Sequence, residues 1–197
     1  GELFMQYGIK SITMDDIARA LSISKKTIYQ HFADKKELEA LTTEALLESE
    51  RQECERIFQD TQDAIGEIIA ISKHLRTHIN KMNPSLFLDL QRYYKEGYKI
   101  YEAYKERVFF KLTYESLARG IEEGYFRSDI NPGIIALMRI EQIQLAYDSN
   151  VYPPDQYTFQ EIQIELFNHF VHGIITDKGR KRLEAYLNTT SHNEISK

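Results

Sequence analysis

Apolar residues recur at spacings of three and four along most of the chain, a period that predicts amphipathic helices. One such stripe runs from Phe58 to Ile79 and another from Phe159 to Ile174. Alternating apolar and polar positions are too sparse to indicate a sheet. The predicted fold class is therefore all-α.

Capping residues, glycines and prolines divide this pattern into separate helices. Thr13 with Asp16 and Asp34 with Glu37 have the spacing of capping boxes, and Gly8 ends a short first segment. The remaining helices are predicted at 14–21, 25–31, 35–59, 62–80, 85–94, 95–122, 134–149, 157–176 and 179–187.

The window from Ser11 to Leu41 carries the clearest motif, two short helices around a three-residue turn. This arrangement is typical of a helix-turn-helix, in which one apolar face of each helix packs inward. The residues predicted to fill that small core are Ile17, Ala18, Leu21, Ile23 in the turn, Ile28 and Phe32.

The opposite face of the second helix carries polar side chains that can all donate hydrogen bonds. A recognition helix needs such side chains to reach base edges and phosphates in the major groove. Lys35 and Lys36 follow at the start of the next helix, where free N–H groups favour phosphate. The polar face comprises Lys25, Lys26, Thr27, Tyr29, Gln30 and His31.

Composition narrows the class of protein. Of 197 residues, 42% are apolar and 28% are charged, as in soluble globular domains. The net charge of −5 argues against nucleic-acid binding as a whole-chain property, but residues 24–36 hold four lysines and one acid, Asp34. No apolar run or leader pattern indicates a membrane partner or export, and Cys54 is the single cysteine. We therefore expect a cytoplasmic protein.

Four features between Phe4 and Leu38 match a known signature in order and spacing: Ile-Ala at 17–18, the turn, Tyr-x-His-Phe at 29–32 and Lys-x-Glu-Leu at 35–38. They resemble the DNA-binding signature of the tetracycline-repressor (TetR) family. Residues 120–132 resemble, more weakly, the link into that family's dimerisation helices. The chain departs from the family pattern at Ser22, where glycine is common, and at Lys26, where a small residue is common.

The resemblance implies a three-helix helix-turn-helix domain followed by a larger helical bundle. It also implies a ligand-responsive regulator, a repressor, that binds a palindromic operator as a homodimer and is released by a small molecule. The implied DNA contacts are Thr13, Lys25, Lys26, Thr27, Tyr29, Gln30, His31 and Lys35. The expected domains are 1–45 for DNA binding, with a truncated first helix, 46–188 for effector binding and dimerisation, and 189–197 as a flexible tail.

Aromatic residues crowd the segment 93–126 of the second domain. Tyrosine joins an apolar face to a hydroxyl, which suits a ligand cavity, although ordinary core packing explains the same residues. The resemblance implies that the helices at 134–149 and 157–176 form the dimer interface. The candidate ligand-binding residues are Tyr93, Tyr98, Tyr101, Phe110, Tyr114 and Gln142.

Two other classes of function stay open. A helical-bundle metal protein or enzyme would use the pairs His74/His78 or His169/His172, but neither has a third ligand by spacing. No nucleophile elbow, P-loop or dinucleotide glycine pattern is present, so we expect no enzyme activity, metal site or cofactor. The other class is a DNA-binding regulator without a small-molecule ligand.

Overall fold

The computed structural model describes residues 1–79, 82–83 and 85–194. Over these residues the backbone is mainly helical and forms no β-strand, which confirms the all-α prediction. An isolated bridge joins Phe126 to Ile175. None of the helices in this range is long and apolar enough to cross a bilayer.

The helices follow the predicted order with shifted ends. They are α1 (Glu2–Tyr7), α2 (Met14–Ala20), α3 (Lys25–Tyr29), α4 (Lys35–Asp60), α5 (Ala64–Ile79), α6 (Ser85–Tyr93), α7 (Lys95–Tyr104), α8 (Phe110–Glu122), α9 (Pro132–Leu145), α10 (Phe159–Ile174) and α11 (Asp177–Glu194). A π-helical turn, Lys105–Phe109, lies between α7 and α8. This turn divides the segment 95–122, which the sequence predicted as one helix. Nothing in the sequence indicates the division, because the apolar spacing continues through the π-helical turn.

Capping explains two further differences. α9 begins earlier than predicted because the Asn131 side chain accepts hydrogen bonds from the N–H groups of Gly133 and Ile134, at 3.0 and 3.2 Å. Pro132 is compatible with the first turn, where its missing N–H costs nothing. α11 continues beyond the predicted end at 187, so the described part of the expected tail is helical.

The chain divides into two compact units. The first consists of Gly1–Gln52 and His78–Arg107, and the second of Glu53–Thr77 and Val108–Lys197. The first unit therefore takes in α6 and α7 in addition to the residues of the expected domain 1–45.

Apolar side chains from distant parts of the sequence form the core of the first unit. Leu90 on α6 and Tyr94 pack with the helix-turn-helix residues, and the Asp89 carboxylate accepts a hydrogen bond from the Lys10 N–H at 2.9 Å. The position of the first three helices thus depends on α6. The core residues of α1 to α3 and their connections are Phe4, Ile9, Ile12, Met14, Ile17, Ala18 and Ile28.

Close packing fixes the core of the second unit. Phe126 is 1% exposed, and a Cβ at Gly120 would fall 1.9 Å from its ring, so only glycine fits there. Gly124 has a φ of 74°, in the left-handed region that glycine tolerates. The buried members of this core are Ala64, Ile65, Ile68, Leu117, Phe126, Ala136, Phe170, Val171, Ile174 and Ile175.

Glu67 is a fully buried acid beside this core. Arg119 places Nη1 3.4 Å from Glu67 Oε2 and donates from Nε to Glu123 at 2.9 Å and from Nη2 to the Thr61 carbonyl at 3.1 Å. Glu67 Oε1 has no hydrogen-bond partner among the described residues. Burial raises the pKa of Glu67 to about 7 despite the nearby arginine.

The raised pKa predicts a pH-dependent loss of stability. Folded Glu67 retains a proton that the unfolded carboxyl, with its ordinary pKa of 4.5, releases, so its contribution falls as pH rises from 4.5 to about 7. Between pH 5 and pH 7, the free energy of unfolding should therefore fall less in Glu67→Gln than in the wild type, by up to about 3 kcal/mol. Urea denaturation at each pH measures this difference. Exposed Glu165→Gln is the control, and an unchanged pH profile in Glu67→Gln would contradict the assignment.

Candidate nucleic-acid interface

The N-terminus of α2 is fixed by the capping box that the sequence predicted. The Thr13 N–H donates to Asp16 Oδ2 at 2.9 Å, and the Asp16 N–H donates to Thr13 Oγ1 at 3.2 Å. The hydrogen bonds from Thr13 hold the pKa of Asp16 below its ordinary value. Thr13 is exposed at this helix end, although its hydroxyl donates to Asp16 in the free protein.

The turn between α2 and α3 contains a left-handed residue and does not bury its apolar side chains. Ser22 has a φ of 55°, and the next N–H, that of Ile23, bonds back to the Ala18 carbonyl at 3.0 Å. Leu21 is 61% exposed and Ile23 41% exposed, so their prediction as inward residues was wrong. The left-handed residue reverses the chain immediately after α2 and turns both side chains outward.

α3 is a five-residue helix anchored by a single buried side chain. Ile28 is 3% exposed, and the Ser24 hydroxyl caps the helix by accepting from the Thr27 N–H at 3.0 Å. Thr27 is half-buried, and its hydroxyl pairs with that of Ser24 at 2.8 Å. The predicted polar residues that lie exposed on α3 or in the turn after it are Lys25, Lys26, Tyr29, Gln30 and His31.

Two of the predicted cations have partners within the protein. Lys25 Nζ lies 2.8 Å from Asp15, an acid on α2 that the count over residues 24–36 left out. Lys35 Nζ donates to the Ile9 carbonyl at 2.6 Å and lies 5.6 Å from the Tyr94 ring centre. Burial lowers the pKa of Lys35. The Lys35 ammonium therefore faces the core of the first unit in the free protein.

Asp34 caps α4 as predicted, through hydrogen bonds from the N–H groups of Lys36 and Glu37 at 2.8 and 2.9 Å. The Glu37 carboxylate reaches the Ala33 N–H rather than that of Asp34. Asp34 is thereby committed to the helix, and the Lys36 side chain is exposed beside it. Lys26 and Lys36 are thus exposed cations at this end of the unit, as is Lys25 in its ion pair with Asp15.

The structure separates the predicted ligand-binding residues into two groups. In the first unit, Tyr98 stacks on Tyr101 with ring centres 6.3 Å apart, and Tyr93 lies exposed beneath Lys10. Tyr98 and Tyr101 pack against the core of that unit. The second unit holds Phe110, Tyr114 and Gln142.

Phe110 and Tyr114 stack in the second unit with ring centres 6.1 Å apart. Gln142 lies on α9, and its Oε1 is buried without a hydrogen-bond partner among the described residues. Arg139, one turn earlier, was not among the predicted site residues although it is 5% exposed and contacts the rings of Phe167 and Phe170. An arginine in an apolar helix was the available sequence signal.

The histidine pairs do not assemble a metal site in the described part of the chain. No group of three or more histidine, cysteine, aspartate or glutamate residues there is close enough to hold an ion. His169 and His172 are exposed on α10. The side chain of His78 lies outside the described residues.

The first unit presents a helix-turn-helix, the fold of a DNA-binding regulator. Residues 2–41 match the family of bacterial regulatory proteins, tetR family. A relative from Bacillus subtilis (strain 168), the uncharacterized HTH-type transcriptional regulator YvaF, is 24% identical over 85% of this chain and 88% of its own. Residues 2–41 therefore form a helix-turn-helix domain of the tetR type, and most of the chain is similar to a helix-turn-helix transcriptional regulator.

Solved structures share the fold at low identity. A TetR-family regulator from Agrobacterium tumefaciens superposes with a TM-score of 0.71 at 14% identity, covering 89% of this chain and 93% of its own. FadR from Bacillus subtilis, solved in complex with stearoyl-CoA, gives a TM-score of 0.64 at 16% identity, covering 88% and 94%.

Two serines in the turn should respond oppositely to the same substitution. Ser22→Gly should raise stability by about 0.5 kcal/mol, because relief of left-handed backbone strain exceeds the freedom gained by the unfolded chain. Ser24→Gly removes the hydroxyl that caps α3 and should lower stability by a few tenths of a kcal/mol. Urea midpoints at unchanged slope measure both. A loss of stability in Ser22→Gly would contradict the strain at this residue.

Proposed function

We propose that this protein is a homodimeric repressor that binds a palindromic operator through α3 and is released by a small molecule. The observation that carries the proposal is the exposed polar surface of α3, held on an apolar scaffold by Ile28. Binding to chromosomal DNA would place the protein in the cytoplasm.

The surface of α3 is chemically suited to a major groove. Lys26 and Gln30 are exposed and one helical turn apart, so both can reach base edges or phosphates from one face. Tyr29 is 46% exposed, and its hydroxyl can donate to a phosphate together with the imidazole of His31. Thr27 is less accessible, because it is half-buried against Ser24.

The remaining predicted contacts require rearrangement of hydrogen bonds or come from a neighbouring residue. Lys25 can exchange Asp15 for a DNA phosphate, since an exposed ion pair contributes little stability. Thr13 can turn its hydroxyl from Asp16 to a phosphate. Lys35 would have to leave the Ile9 carbonyl, so we infer that exposed Lys36 supplies the cation at the start of α4.

An apolar stripe on α9 supports the homodimer. Ile134, Leu137 and Met138 are 64%, 55% and 41% exposed, and Leu145 continues the stripe at 39%. Large apolar side chains at helical spacing on one exposed face are typical of an interface. A twofold axis through such a face would present two copies of α3, which must lie about 34–36 Å apart to enter successive major grooves.

Release by a small molecule is supported by the relative FadR, whose structure contains stearoyl-CoA. A ligand releases DNA when it binds more tightly to a form of the dimer that binds DNA poorly, and only by that difference in affinity. A dimer that binds DNA equally well with every small molecule tested would instead fit a regulator without a ligand.

Selection of DNA sites from a random pool with the full chain tests the DNA-binding part. On the selected site, Lys26→Gln should lower affinity by about tenfold or more. It should also reduce the slope of log K against log salt by about 2, because a dimer loses two cation contacts worth about 0.9 each. Exposed Lys181→Gln in the second unit is the matched control. Equal affinity and slope in both variants would reject α3 as the DNA-binding surface.

The dimer interface has its own test. Leu137→Glu should convert the dimer to a monomer in sedimentation analysis and abolish operator binding, because a carboxylate would be buried without a partner. Exposed Val151→Glu adds the same charge to an exposed apolar position outside α9 and should leave the dimer intact. A Leu137→Glu dimer of undiminished affinity would exclude α9 from the interface.

A further inference from the structure

Arg139 is a buried cation that has no counterion among the residues the structure describes. It is 5% exposed, and its Nη1 has no hydrogen-bond partner among the described residues. Burial alone lowers its pKa to about 10, with no neighbouring charge of either sign as a cause. The guanidinium is therefore still protonated near neutral pH and leaves an unbalanced charge inside the second unit.

Arg119 in the same unit is a partly buried arginine whose guanidinium has hydrogen-bond and ion-pair partners. Its guanidinium faces Glu67, Glu123 and the Thr61 carbonyl, although its side chain is 28% exposed. Arg139 is more deeply buried and has no such partners in the described part of the chain. A buried charge is costly unless an opposite charge reaches it, so this contrast indicates that the counterion is supplied from outside the chain.

The surroundings of Arg139 define what kind of anion fits. Its guanidinium lies 5.2 and 5.4 Å from the ring centres of Phe167 and Phe170, which indicates an apolar environment. Gln142, three residues further along α9, has a buried Oε1 that also lacks a partner among the described residues. Residues three apart are neighbours on a helix surface, so one molecule can reach both.

We propose that the buried side of α9 binds an apolar organic monocarboxylate, with Arg139 donating to the carboxylate and Gln142 accepting from a hydroxyl or N–H on the same molecule. This proposal rests on the proposed function only in taking the bound carboxylate as the molecule that releases the protein from DNA. A single guanidinium balances one negative charge, whereas a phosphate dianion would leave an excess charge buried.

A carboxylate from a second subunit is the competing source. Arg139 lies on the buried side of α9, whereas the proposed dimer surface is the exposed stripe at Ile134, Leu137 and Met138. A partner carboxylate entering along that stripe would have to pass around the helix. The geometry therefore favours a small molecule inside the unit.

Thermal unfolding of the full chain without DNA tests the site. The probes are benzoate, 3-hydroxybenzoate, octanoate and 3-hydroxyoctanoate, each compared with its primary amide. At least one carboxylate should raise Tm by about 5 °C near saturation, and its amide should not. No shift with any of the four acids at millimolar concentration, or equal shifts with acid and amide, would overturn the proposal.

Substitutions separate a binding arginine from a structural one. Arg139→Met removes the cation, so the carboxylate should no longer raise Tm. Because methionine keeps much of the side-chain length without a buried charge, the Tm of this variant without additive should stay at or above that of the wild type. Gln142→Leu should keep the shift but lose any preference for the hydroxylated acid. Exposed Arg180→Met is the control and should respond like the wild type. A large loss of Tm with dissociation in Arg139→Met would assign the counterion to the partner subunit and overturn the proposal.

Because these measurements contain no DNA, the site can be judged even if the proposed operator binding fails. The best acid is then added to the complex with the selected operator. Release in the wild type but not in Arg139→Met supports both proposals together. Binding of the acid without release would leave the carboxylate site established and contradict the ligand response of the proposed function.

Discussion

A helix as short as α3 is not stable in water by itself, because the entropy lost in ordering the first turn exceeds the free energy gained from its hydrogen bonds. The proposed DNA-binding surface therefore depends on the burial of Ile28 against Ile17, Ala18 and the rest of the first core. This apolar anchor holds one side of α3 and leaves the other side free for polar contacts. Any change that loosens the anchor moves the candidate contacts on α3 together.

The anchor is itself supported from a distant part of the sequence. Leu90 and Tyr94 complete the same core, and Asp89 fixes the backbone after α1 by accepting from Lys10. Movement of α6 would consequently disturb the packing beneath the helix-turn-helix. This coupling lies within one compact unit, so a change at α6 needs no long chain of contacts to affect the placement of α3.

The two units use buried charge differently. In the first, Lys35 is satisfied by the Ile9 carbonyl, so a cation from the DNA-binding signature also stabilises the free protein. In the second, Arg139 is buried with no charged partner within the described ranges, which marks a place where folding left an interaction incomplete. Such residues are expected at functional sites, because stability alone would favour an apolar side chain there.

The sequence by itself determined the helix order, the capping box at Thr13, the Asp34 cap of α4, the buried positions of Ile17 and Ile28, and the tetR-type motif in residues 2–41. These features depend on local periodicity and on neighbours within four residues, which a single sequence displays. Only the tertiary structure decided what distant groups do. It turned Lys35 toward the Ile9 carbonyl and buried Arg139 without a counterion among the described residues, because these outcomes depend on residues far away in the chain.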